Sequence, residues 1–270
     1  MASARQELRL LGIPPLRRFG QHFLLSENVR DKLVHQAHLT QADIVVEVGP
    51  GLGFLTAALA SRAGRVIAIE RDRTLVKHLE RKFSANNNVD IIEGDALATP
   101  LPANAKIVSS PPYNISSKLI LRIIKSDFKL ACLLLQEDFI NRLTAPSGSR
   151  DYGRLTVVVQ THARAEYVSH VPKLAFYPPP RVDSAIVTVH PTLGIMQPKN
   201  TTIHEDLVRA LFTQRRRKVR GVLSRYLMTK YGEEKEEILS RIDLEDKRVY
   251  ELTPIEFIRL SNVITGSVKS

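Results

Sequence analysis

A serine, two prolines and a tyrosine, Ser110-Pro111-Pro112-Tyr113, follow directly on the strand-like run Lys106–Ser109. These residue types can grip a flat ring that carries an amine. The Ser110 hydroxyl and the Pro111 carbonyl accept hydrogen bonds from the amine, and Tyr113 offers a face on which the ring stacks. Proline fixes φ, so the acceptors stand in place before a ligand arrives. Taken alone, Pro-Pro-Tyr is equally a plain loop, and its surroundings have to decide.

A second chemical motif lies upstream. Glu47-Val48-Gly49-Pro50-Gly51-Leu52-Gly53 follows an apolar strand and opens a helix. Glycines allow a tight turn and a close approach of ligand to backbone. The dinucleotide pattern G-x-G-x-x-G needs glycine where Phe54 stands, and no Gly-Lys-Ser/Thr of a phosphate loop is present. The pattern Glu-x-Gly-x-Gly-x-Gly resembles the S-adenosylmethionine loop of Rossmann-like methyltransferases. Glu70 ends the next strand, where an acid can hold both hydroxyls of a ribose; it is equally placed for a salt bridge. Asp95 follows the third strand, where it can receive an adenine amine. A Ser-Pro-Pro-Tyr loop at the fourth strand end of the same sheet is similar to that of amino-directed methyltransferases, which carry Asn/Asp/Ser-Pro-Pro-Tyr there.

The elements that must position these loops are legible as alternation. Strand candidates are 44–48, 65–70, 89–92, 106–109 and 130–135, with helices at 54–63, 74–83 and 116–125 between them. Strand–helix repetition with apolar strands predicts an α/β fold with a doubly wound, mostly parallel sheet. Two further strand-like segments, 166–171 and 184–190, suggest an antiparallel hairpin, for seven strands in all. Residues 191–202 hold Pro191, Gly194, Pro198 and Asn200 and read as a linker. From Ile203 the pattern is helical. The expected division is a methyltransferase-like domain over 1–192 and a small all-α domain over 203–270.

The chain has 270 residues and a formal net charge of +11. Such an excess favours polyanions through summed field and counterion release. The basic residues concentrate: Arg209, Arg215, Arg216, Arg217, Lys218, Arg220, Arg225 and Lys230 fall within 207–232, which contains no acid. That segment suits phosphates, or is a solvated helix face. Arg17 and Arg18 extend the basic character near the N-terminus. The single cysteine, Cys132, lies in an apolar run, excludes an internal disulfide and a Cys-based zinc site, and reads as a buried small hydrophobe. No apolar run is long enough to span a membrane, and 1–10 lacks the apolar segment of a secretory signal. These features favour a cytoplasmic protein, and no metal is expected.

Three more segments narrow the resemblance: Gly20-Gln21-His22-Phe23-Leu24 before the first core helix, Phe176-Tyr177-Pro178-Pro179-Pro180-Arg181-Val182-Asp183-Ser184 before the last strand, and Phe212-Thr213-Gln214-Arg215-Arg216-Arg217-Lys218 in the helical tail. With the glycine loop, they resemble the ribosomal RNA adenine dimethyltransferases, which modify two adjacent adenines near the end of small-subunit RNA. The form is closest to archaeal members. The resemblance implies a Rossmann-like fold and S-adenosylmethionine as methyl donor. It implies a small-subunit rRNA substrate within a pre-ribosomal particle, and action as a monomer. It places His22, Leu24, Gly49, Gly51, Glu70, Asp95 and Ser110 at the donor, with Ala96 beside its adenine. Ser110, Pro111, Tyr113 and Phe176 fall at the target base, with Tyr113 and Phe176 expected to sandwich it, and Arg215, Arg216, Arg217, Lys218 and Arg220 fall on RNA. His22 is equally a locally bonded residue, and Phe176 equally a core plug. One departure stands out: the family usually has Asn-Leu-Pro-Tyr where this chain has Ser110-Pro111-Pro112-Tyr113. The same core also resembles large-subunit rRNA methyltransferases of the resistance type, and a relative that binds without chemistry is the third possibility.

Overall fold

A computed structural model describes Leu8 and residues 21–192, 196–242 and 246–267. Arg17, Arg18 and Gly20, singled out above, lie outside the described residues, as does Gly194.

The first compact unit comprises the described residues of 1–140 together with 165–191. Its centre is a seven-stranded sheet built from β2 (Ile44–Val48), β3 (Arg65–Glu70), β4 (Val89–Glu93), β5 (Ala105–Ser109), β6 (Phe128–Gln136), β7 (Ala163–Val171, whose first two residues fall to the second unit) and β9 (Ser184–Pro191). The spatial order is β4-β3-β2-β5-β6-β9-β7. β4, β3, β2, β5 and β6 pair in parallel, and β9 runs antiparallel to β6. Helices α1 (Glu27–Gln36), α2 (Phe54–Ala60), α3 (Arg73–Lys82) and α4 (Ser116–Ile123) make the connections. The mostly parallel sheet therefore forms as the strand-and-helix alternation implies, and β7 and β9 lie side by side as its last two strands.

Burial explains the apolar strands. Val45, Val46, Val66, Val108, Cys132 and Leu134 are essentially inaccessible, packed between helices on both faces. Burial pushes the Cys132 thiol up to about 12, so it remains a neutral core group. The one buried cation in these strands among the described residues, Lys106, lies against Asp43 at 2.9 Å and the His38 carbonyl at 2.8 Å. A buried ammonium needs such partners.

The topology fixes where a ligand can sit. From β2 the chain winds outward to β3 and β4, then returns to β5 on the other side. The strand order reverses between β2 and β5, and at such a switch point a crevice opens beyond the carboxyl ends of the strands. The glycine loop ends β2 and the Ser-Pro-Pro-Tyr loop ends β5, so both face that crevice.

The pair β1 (Phe23–Leu24) and β8 (Phe176–Tyr177) is invisible to periodicity. It pairs Phe23 with Tyr177 and Leu24 with Phe176, antiparallel.

The second unit comprises 141–164 and the described residues of 192–270. Its helices include α6 (Arg154–His162), α7 (Thr201–Phe212), α8 (Val219–Tyr231), α9 (Lys235–Ser240) and α10 (Pro254–Ser267); α5 (Glu137–Thr144) leads into it. The expected division put 141–164 with the sheet. Packing puts them with the helices: Tyr152 is fully buried and donates to the Leu252 carbonyl at 2.7 Å, and Phe212 and Phe257 stack at 5.6 Å near it.

His204 is the polar pin of this unit. It is 1% exposed and lies between the hydroxyls of Thr161 and Ser261, both at 3.2 Å. Both hydroxyls donate to backbone carbonyls, of Val157 at 2.8 Å and Ile258 at 2.9 Å, and are open to accept from the imidazole N–H. Burial, reinforced by His162, lowers its pKa to about 4. The folded pKa lies below the unfolded value near 6.5, so the contribution is fully present above pH 6.5. It is lost as pH falls through 4, a change on the order of 3 kcal/mol. His204→Gln is therefore expected to be less stable than wild type at pH 7.5, with the gap narrowing toward pH 4. Thermal unfolding across that range checks this; a gap that widens in acid contradicts it.

Candidate active site

The crevice at the switch point is an open cavity lined by the glycine loop, the Ser-Pro-Pro-Tyr loop, His22–Leu24, Glu70, Asp95, Ala96 and Phe176. Every donor-side and base-side residue expected above lines it: His22, Leu24, Gly49, Gly51, Glu70, Asp95, Ser110, Pro111, Tyr113 and Phe176.

The loop's glycines are required by geometry. Gly49, Gly51 and Gly53 have φ of 70°, 59° and 78°, a region costly for residues with a Cβ. A Cβ on Gly53 would meet Phe83 at 2.7 Å. A Cβ on Gly49 would meet Pro112 at 3.1 Å, so the two loops touch directly. The Ser109 hydroxyl ties their strands below this point, donating to the Val48 carbonyl at 2.6 Å.

Glu70 holds the crevice's other wall. Its carboxylate accepts from the backbone N–H of Gly51 at 3.2 Å and of Arg71 and Asp72 at 2.9 Å each. Burial raises its pKa, and these three donors oppose the rise. Asp72 then caps α3 through Thr74 N–H. Asp95 is exposed at the rim, bonded to Leu97 N–H at 2.9 Å and 3.9 Å from Arg71, while neighbouring Ala96 is buried.

Glu47 opens the glycine motif but has no role of its own among the site residues expected from the sequence. It is 1% exposed, and the Thr56 hydroxyl donates to it at 2.6 Å. Burial pushes its carboxyl up to about 8; the Thr56 bond pulls it down and Glu70 pushes it further up. Two buried carboxyls line one cavity and neither has an ion-pair partner among the described residues; Glu47 is mostly protonated at pH 7, and a ligand bearing positive charge would favour its ionised form. The signal was present as an acid inside an otherwise apolar strand, which is rare without a purpose.

On the base side, Ser110 is half-buried and its hydroxyl makes no hydrogen bond among the described residues, which leaves it open to a ligand. Tyr113 is anchored through its hydroxyl to Ser184 Oγ at 2.6 Å; burial raises its pKa and outweighs the opposing effect of that bond, so it remains a neutral phenol. The rings do not stand as a ready sandwich. Tyr113 and Phe176 are 6.4 Å apart at 76°, edge to face. A base between parallel rings needs roughly 7 Å, twice a ~3.5 Å contact. The near-parallel neighbour of Tyr113 is instead His22, at 5.7 Å and 27°. His22 Nδ1 donates to the Pro178 carbonyl at 2.7 Å, since a carbonyl only accepts. Phe176 is 2% exposed and belongs to the core cluster as well as to the cavity wall. Phe176 is thus a core residue that also forms part of the cavity wall.

The basic segment separates into two kinds of residue. Arg216, Arg217, Lys218 and Arg220 are exposed. Arg215 is turned inward: it donates to the carbonyls of Arg150 at 2.9 Å and Ser149 at 3.1 Å and lies over Tyr250. Arg209 and Lys230 both pair with Asp206, just outside the acid-free stretch, and Lys218 pairs with Asp246. Arg150 and Arg248 are exposed at the same turn, Arg248 donating to the Arg216 carbonyl.

Among the described residues no helix is long and apolar enough to cross a membrane, and no cluster of His, Cys, Asp and Glu could hold a metal ion.

Comparison with known proteins agrees with this geometry. The chain is 42% identical over 248 residues to a probable ribosomal RNA small subunit methyltransferase A of Pyrococcus abyssi, covering 91% of this chain and 90% of that protein. It is 40% identical to a probable methyltransferase of the same name from Methanosarcina mazei, covering 91% and 92%. Among solved structures it is similar to a dimethyladenosine transferase from Plasmodium falciparum, with a TM-score of 0.82, 28% identity and coverage of 91% and 98%. It is less similar to the 23S rRNA methyltransferase ErmE, with a TM-score of 0.68, 28% identity and coverage of 90% and 99%. A family model described as ribosomal RNA adenine dimethylase matches residues 16–265. The family model over residues 16–265, together with relatives at about 40% identity over nine-tenths of the chain, places this protein in the ribosomal RNA adenine dimethylase family.

Proposed function

We propose that the protein dimethylates the exocyclic N6 amine of two adjacent adenines near the 3′ end of small-subunit rRNA, with S-adenosylmethionine as donor. It does so as a monomer, in the cytoplasm, on a pre-ribosomal small subunit. The contact between the glycine loop and Pro112 is the observation that carries this reading, because it sets a donor beside an amine.

The donor supplies a methyl group on a sulfonium. The protein's part is positioning. Glu70 takes the ribose hydroxyls with the lone pairs its three N–H donors leave open. Asp95 takes the donor's adenine amine, His22 and Leu24 close the near wall, and Glu47 faces the positive charge. The target amine is a poor nucleophile, because its lone pair is delocalised into the ring. The Ser110 hydroxyl and the Pro111 carbonyl turn that lone pair toward the methyl and stabilise the charge that grows on nitrogen. The cationic product amine is acidic and loses its proton to solvent, so the neutral Tyr113 phenol need not act as base. Orientation provides most of the acceleration. Tyr113 holds the base by stacking, worth about 1–3 kcal/mol, and Phe176 supplies an edge.

Arg216, Arg217, Lys218 and Arg220 contact phosphate. Arg216→Ala and Arg217→Ala are expected to leave stability within about 0.5 kcal/mol and to lower the salt dependence of RNA binding by about one phosphate contact each. Arg215→Ala is expected to cost about 1–3 kcal/mol of stability through its two carbonyl partners. Thermal unfolding beside salt titrations of RNA binding tells these apart. To test the function itself, unmodified small and large subunits are offered with methyl-labelled donor. Label is expected in small-subunit RNA; label confined to large-subunit RNA overturns the assignment.

A further inference from the structure

The loop from β7 to β9, residues 172–183, carries Phe176 into the cavity. Its first turn is the short 3-10 segment Lys173–Ala175. Leu174 at its tip is 77% exposed, the most exposed large hydrophobic residue among those described. A lone surface leucine is ordinary. Three features set this one apart.

The turn is held stiffly. Lys173 N–H donates to Asp183 Oδ1 at 2.8 Å and Ala175 N–H to the Pro172 carbonyl at 2.9 Å. The Ala175 carbonyl accepts from Leu25 N–H at 2.7 Å. Asp183 is braced in turn, its carbonyl accepting from Glu137 N–H at 3.2 Å.

The turn also stands at the cavity's edge. Leu174 is two residues from Phe176, and Leu25 follows Leu24; Phe176 and Leu24 both line the cavity. Finally, its neighbours are of two kinds. Leu25 and Val182 are each 38% exposed, while Lys173 and Arg181 on the same loop are exposed cations with no ion-pair partner among the described residues. A rigid apolar knob between cations, beside a pocket that takes a base, has the composition of the wedges that enter base stacks and hold them open. A target base must leave its stack before chemistry.

We propose that Leu174 is such a wedge: it enters the stack of the substrate RNA where the target adenine has left, while Lys173 and Arg181 hold the flanking phosphates. This rests on the function proposed above. The test compares wild type, Leu174→Ser and Leu174→Met on small subunits assembled with unmodified RNA. In one set the base next to the target adenine is intact; in the other it has been removed, so that the target is already unstacked. Leu174→Ser is expected to lower kcat/KM at least tenfold on the intact RNA and to come within about twofold of wild type on the RNA lacking the neighbour. Leu174→Met is expected to remain near wild type, and donor Kd to be unchanged in both. Equal rates for Leu174→Ser and wild type on intact RNA overturn the wedge. An equal loss on both RNAs also overturns it and assigns Leu174 to a general subunit contact. A wild-type protein that methylates neither substrate refutes the proposed function itself, a result distinct from either.

Discussion

Tyr113→Ala is expected to lower methyl transfer by at least about 100-fold while leaving donor affinity within a few-fold of wild type. The ring provides the stacking face, worth about 1–3 kcal/mol, and its loss also frees the base to shift; a misplacement of about 1 Å costs on the order of 100-fold. Tyr113→Phe separates the two parts. It keeps the ring and loses only the bond to Ser184 at 2.6 Å, with an expected loss of about three- to tenfold, from roughly 0.5–1.5 kcal/mol. Donor titration by calorimetry and single-turnover transfer measure each. A parallel loss of donor binding in Tyr113→Ala would refute the role given to this ring.

Glu70→Ala is expected to have the opposite signature. Removing the carboxylate takes away the acceptor for the ribose hydroxyls and leaves three backbone donors, on Gly51, Arg71 and Asp72, without their partner. Hydrogen bonds to a charged group are worth about 1.5–3 kcal/mol each, so donor Kd is expected to rise at least about 100-fold. Stability falls as well, because the glycine loop loses its anchor. Glu70→Gln should not rescue, since its amide nitrogen cannot accept from Gly51 N–H as the oxygen does. A Glu70→Ala protein with near-normal donor affinity would show that the carboxylate serves only the loop.

Much of this site is legible in the sequence because it is local. The glycines at 49, 51 and 53 announce positive φ, and the structure gives each of them one. The apolar strands announce a buried parallel sheet, and once the strand order is set, the switch point brings both loops to one crevice. What is not legible depends on contacts far apart in sequence. The pairing of Leu24 with Phe176, the bond from Tyr113 to Ser184 and the tilt of Phe176 against Tyr113 have no local signature. The Val-rich helix α6 is hard to tell from a strand by composition, and its assignment is settled by packing in the helical unit. Charge misleads in a similar way. Arg215 and Arg216 are identical in sequence terms, yet one is spent on the carbonyls of Ser149 and Arg150 and the other is exposed.

Ser110 stands where the resemblance read from the sequence leads one to expect asparagine. Its hydroxyl is shorter and rotates, so it constrains the amine less than a planar amide does. Pro111 keeps its carbonyl acceptor. Both methyl additions are therefore expected, with the second slower than the first.

The most direct measurement is nucleoside analysis of the product. The protein is incubated with unmodified small subunits and methyl-labelled S-adenosylmethionine, and the RNA is digested to nucleosides. The label is expected in N6,N6-dimethyladenosine from two adjacent positions, with monomethyladenosine passing through as an early intermediate. Donor and subunit both bound, with no label in any adenosine, would contradict the central claim.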